Sequence, residues 1–67
     1  MRADFAEMSW DTSKGQWLLR MGIGDEVIRR HCKNAQDANE SDLRALAEKT
    51  VVDEGYEIDS AKVTIVR

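Results

Sequence analysis

The sequence predicts an α+β fold, a small two-layer domain in which an antiparallel β-meander is crossed by one helix and completed by a C-terminal strand, in the order β-β-β-α-β. Three observations predict it. Apolar residues alternate with polar ones along residues 5–10 and 16–23, the period of a half-buried strand. Short runs of loop formers separate those stretches. Farther on, one stripe of apolar residues recurs at helical spacing.

The first two strands are read together. Ala6, Met8 and Trp10 alternate, as do Trp17, Leu19, Met21 and Ile23. Between them lies Asp11-Thr-Ser-Lys-Gly15, ending in a glycine able to take positive φ. If Trp10 pairs with Trp17, Met8 faces Leu19 and Ala6 faces Met21, so all six side chains share one face. Gly24-Asp25 then suits a two-residue hairpin loop with glycine at its first central position. Closure there starts a third strand, from Glu26 to about Lys33, and sets Met21 opposite Ile28 and Trp17 opposite Cys32. Glu26 and Arg30 fall on that apolar face too. A helical reading of residues 13–34 competes, with Ser13 to Gln16 as a capping box, Gly22 as a stop, and acids before bases from Asp25 onward.

Residues 1–4 read as a frayed end, and residues 34–39 as a polar loop. Asn39 or Ser41 can cap the helix that follows, with Asp42 in its first turn. Leu43, Leu46, Ala47, Thr50 and Val51 form its apolar stripe, Arg44, Glu48, Lys49 and Asp53 are left for solvent, and Gly55 ends it. Residues 56–61 are a connector. Residues 62–67 form the last strand, with Val63 and Ile65 alternating against Lys62 and Thr64.

This order resembles the HicB-like antitoxin domain, a reduced RNase H-like fold. The residues that carry the resemblance are Trp10-Asp-Thr-Ser-Lys-Gly-Gln-Trp17, the helix over residues 40–53, and Glu54-Gly-Tyr-Glu-Ile58 before the last strand. It covers most of the chain as topology and spacing. After the second strand the chain departs from the family, with Met21-Gly-Ile-Gly-Asp25 in place of a proline-containing stretch. The resemblance implies a protein that neutralises a small toxin by direct binding. The separate DNA-binding segment frequent in that family has no room in 67 residues.

Length and composition bound the rest. Sixty-seven residues make one domain with a small core. A single cysteine excludes an internal disulfide and points to a reducing, cytoplasmic setting. No apolar run approaches the roughly 20 residues of a membrane span, and the N-terminus lacks the apolar core of a signal peptide.

The sequence offers little chemistry. His31 and Cys32 are the only soft metal ligands, and neighbours on a strand point to opposite faces, so no metal site is expected. Cys32 reads as a small buried hydrophobe. Gly22-Ile-Gly24 shares only its glycines with phosphate loops. The carboxylates are scattered rather than paired. The expectation is a non-enzymatic protein without cofactors.

Charge is unevenly spread. From Lys14 to Lys33 five bases face two acids, while the remainder holds five bases and eleven acids, within a net charge of −3. Leu18, Arg20, Val27, Arg29 and His31 are expected to share the sheet face away from the helix. One reading is a merely solvated face. Another is a partner-binding face with arginine anchors around an apolar centre. A third is a nucleic-acid-binding sheet, weakened by the overall acidity and the lack of aromatics on that face. The preferred expectation is an antitoxin-like inhibitor or a phage or bacterial accessory protein. It would bind a protein partner or a second copy of itself, for which the last strand leaves an edge.

Overall fold

Trp10 stands opposite Trp17, Met8 opposite Leu19 and Ala6 opposite Met21 in the computed structural model, which describes residues 1–66. The strands are β1 (Phe5–Asp11), β2 (Gln16–Ile23), β3 (Glu26–Cys32) and β4 (Val63–Val66). The helix α1 (Glu40–Asp53) precedes a short 3₁₀ turn, Ser60–Lys62, that leads into β4. The four strands form one sheet in the order β3-β2-β1-β4. β1, β2 and β3 are mutually antiparallel as a meander, while β4 lies parallel to β1.

The two turns are where the helical alternative for residues 13–34 fails. Gly15 has φ +64° and Gly24 has φ +60°, values a right-handed helix does not contain. In the first turn the Asp11 carboxylate accepts from the Ser13 amide at 3.1 Å and the Ser13 hydroxyl at 2.9 Å, an Asx turn that folds the chain back. In the second, Gly24-Asp25 alone separates the paired residues Ile23 and Glu26.

Asn39 caps α1, its side chain accepting from the Asp42 amide at 2.8 Å. At the other end the Gly55 amide donates to the Val52 carbonyl at 2.9 Å and the Tyr56 amide to the Val51 carbonyl at 3.1 Å. With Gly55 at φ +92°, this is a Schellman closure. Leu43, Ala47 and Val51, one turn apart, are fully buried against Ala6, Met8, Trp17, Leu19, Met21 and Val63. Leu46 is only half-buried beside them. The helix lies over β1 and β4. Among the described residues no layer covers the sheet's other face.

Three expectations are corrected. Residues 1–4 are tied down rather than frayed. The Ala3 amide donates to the Glu57 carbonyl at 2.7 Å, the Glu57 amide to the Met1 carbonyl at 2.9 Å, and Ala3 is buried. Arg44 is not left to solvent. It is half-buried, and its Nη1 donates to the Val63 carbonyl at 2.8 Å and the Ser60 carbonyl at 3.2 Å, fastening the helix to the start of β4. β4 itself begins at Val63, because Lys62 belongs to the 3₁₀ turn. Arg67, expected in this strand, lies outside the described residues.

Candidate protein-binding face

Strand alternation assigns Phe5, Glu7, Ser9 and Asp11, then Gln16, Leu18, Arg20 and Gly22, then Val27, Arg29 and His31, and finally Thr64 and Val66, to the face opposite the helix. All five residues expected on it, Leu18, Arg20, Val27, Arg29 and His31, are there. Cross-strand pairing arranges them in rows. Phe5, Gly22 and Val27 make one row. Thr64, Glu7, Arg20 and Arg29 make the next, and Val66, Ser9, Leu18 and His31 the third.

The rows differ in chemistry. The first is apolar and open, with Phe5 38% and Val27 41% exposed. In the second, Arg20 Nη1 lies 3.2 Å from Glu7 Oε1. The neighbouring Nε is buried with no partner, so the stem is held against the sheet while the head is neutralised. Arg29 has no carboxylate partner among the described residues. In the third, Leu18 is half-buried and Val66 is 43% exposed.

His31 reaches across β2 rather than to its direct neighbour. Its Nε2 lies 3.0 Å from Asp11 Oδ2, which links β3 to β1 over the top of β2. The His31 hydrogen bond, followed by that of the Ser13 hydroxyl, holds the Asp11 carboxyl below its ordinary value. Cys32 points the other way, buried, with Sγ 3.7 Å from the Thr50 hydroxyl. The two soft ligands are thus on opposite faces, and among the described residues no cluster of three or more ligating side chains forms. No pocket opens among those residues, and none of their helices is long and apolar enough to cross a membrane.

Sequence reasoning did not name the β1 and β4 residues of this face as binding residues, Phe5, Glu7, Asp11 and Val66 among them. Phe5, Glu7 and Asp11 belong to it by the same alternation that put Ala6, Met8 and Trp10 inside, so the signal was present. Glu7 and Asp11 change its character, because Glu7 pairs with Arg20 and Asp11 bonds the His31 ring where arginine anchors around an apolar centre were expected. No family model, curated protein or solved structure matches the chain.

Proposed function

We propose that this chain is a small non-enzymatic protein-binding module that holds its partner on the outer face of its sheet. The observation that carries the proposal is the uncovered mixed surface around Leu18. Phe5, Val27 and Val66 lie open there, among Arg29, the Arg20–Glu7 pair and the His31–Asp11 pair. A solvated sheet face normally alternates to polar side chains. Apolar side chains rimmed by arginine and by pre-formed ion pairs have the composition of a protein interface. The resemblance to HicB-like antitoxins would make the partner a small toxin.

The internal ion pairs favour a protein over a nucleic acid. A phosphate backbone is held by many uncompensated cations, whereas here Glu7 already pairs with Arg20 and Asp11 already bonds the His31 ring. The test compares the immobilised chain with its Leu18→Glu, Val66→Glu variant in extract of the native host. A protein retained by the parent and absent from the variant supports the proposal. Nucleic acid retained equally by both, or nothing retained by either, overturns it.

A further inference from the structure

We infer that β3 is a self-pairing edge, along which two copies of this chain join antiparallel about a two-fold axis at Ile28. The strand order leaves β3 with a neighbour on one side only. The two-residue turn makes Ile23 and Glu26 a hydrogen-bonded pair. By alternation Met21–Ile28, Leu19–Arg30 and Trp17–Cys32 are hydrogen-bonded as well. The residues between them, Val27, Arg29 and His31, therefore turn their N–H and C=O groups to the open edge. The Arg29 carbonyl shows it, since it accepts from the side-chain Nη1 of Arg30 at 2.8 Å instead of from a strand.

The order of side chains on this edge fits a second copy. From Asp25 to His31 it runs acid, acid, Val27, Ile28, base, base, imidazole. In an antiparallel pair centred on Ile28, Glu26 faces the partner's Arg30, Val27 faces the partner's Arg29, and Asp25 comes near the partner's His31. The two-fold repeats each contact. The open backbone groups agree, because Val27 and the partner's Arg29 both present N–H and C=O and so form a hydrogen-bonded pair. Moving the axis to Arg29 or Arg30 sets cation directly against cation, and moving it to Val27 sets Glu26 against Ile28 and loses both Glu26–Arg30 pairs, which disfavours the neighbouring registers.

β4, the other edge, lacks these features. It has four residues, none of them charged. Pairing through β3 joins the two sheets into one of eight strands, with both helices on one side. The two outer faces then become continuous across the axis. An edge contact of seven residues is at the small end of interfaces, so the association depends on concentration. It does not depend on what the outer face binds.

Sedimentation equilibrium tests it. The wild-type chain should show a concentration-dependent monomer–dimer equilibrium. Glu26→Arg and Arg30→Glu should each weaken association at least about tenfold, by setting like charges against each other twice. The double variant, Glu26→Arg with Arg30→Glu, should recover it, because the pairing is again opposite in sign. Amide exchange on the wild-type chain gives a readout free of substitutions: protection at Val27, Arg29 and His31 should rise with concentration, and protection in β4 should not. A chain that is monomeric at every concentration overturns the inference. So does a dimer that the single reversals leave intact, or one that the double reversal fails to restore.

Discussion

The ring of Phe5 occupies the space above Gly22 that a side chain would need. The two residues are directly paired across β1 and β2, and a Cβ built on Gly22 would collide with ring atoms Cε1, Cδ1 and Cζ. The glycine weakens a strand interior, and the aromatic ring opposite covers its bare backbone. The same ring supplies apolar surface to the outer face. Packing in β1–β2 and the proposed binding surface therefore share one residue.

Gly22→Ala should accordingly push the half-exposed Phe5 ring off its rotamer and destabilise the fold by about 0.5–1.5 kcal/mol. In a Phe5→Ala background the same substitution should cost much less, because the obstructing ring is gone. Urea unfolding of the four variants closes the cycle. Equal costs in both backgrounds would mean that the ring is not what excludes the methyl group.

Leu43→Ala should cost about 2–5 kcal/mol, a large share of the stability of so small a domain. Leu46→Ala should cost less. Both lie on the apolar stripe, yet Leu43 is fully buried while Leu46 is half-buried. Thermal melts of the two variants rank them, and the reverse order would contradict the packing of α1 on the sheet.

Gly24→Ala should destabilise by about 1–2 kcal/mol. Open space surrounds this position, so the cost is purely that of placing a Cβ at φ +60°. A helix would be slightly stabilised by the same change, so the sign of the shift alone separates the two backbones.

Those positions also mark how far the sequence could be read. The β1–β2–β3 register was legible because two turns of defined length and a strict period of two leave one pairing that gathers Trp10, Trp17, Met8, Leu19, Ala6 and Met21 on a single face. The place of β4 was not, since four uncharged residues, Val63 to Val66, carry nothing to fix a direction or a neighbour. The clasp of Ala3 on Glu57 and the reach of Arg44 to Val63 join residues 54 and 19 positions apart through main-chain groups, which side-chain patterning does not encode. On the outer face, alternation could place Asp11. It could not show that His31 passes over β2 to meet it.

That meeting has a pH signature. The Asp11 carboxyl titrates below its ordinary value of 3.8 in the folded chain, chiefly through His31. Folding therefore favours the ionised form. The contribution is fully present above the unfolded pKa and is lost as pH falls through the depressed folded pKa. His31→Ala should bring the Asp11 pKa, followed by carboxyl carbon shifts, back up toward its ordinary value, and Ser13→Ala should raise it by less. In unfolding measured between about pH 5 and pH 2, a window spanning the ordinary carboxylate range, Asp11→Asn should flatten part of the acid limb. A pKa unchanged by His31→Ala would show that the pair does not persist in solution.

The salt dependence of partner binding separates the two kinds of partner that an arginine-bearing sheet can serve. A nucleic-acid complex with 6–10 phosphate contacts loses roughly 10³–10⁵ in affinity between about 50 and 200 mM salt. The outer face here presents Arg29 without a carboxylate partner among the described residues, while Arg20 and His31 are already engaged by Glu7 and Asp11. An interface built on Phe5, Leu18, Val27 and Val66 with one such cation should lose about tenfold or less over that range, since burial of apolar surface is not screened. Leu18→Glu with Val66→Glu should abolish binding at every salt concentration and leave the circular dichroism of the sheet in place. Val66 lies on the sheet edge opposite β3, so Val66→Glu by itself should leave dimerisation unaffected. A steep salt slope that persists in the double variant would assign the face to nucleic acid and end the protein-binding proposal.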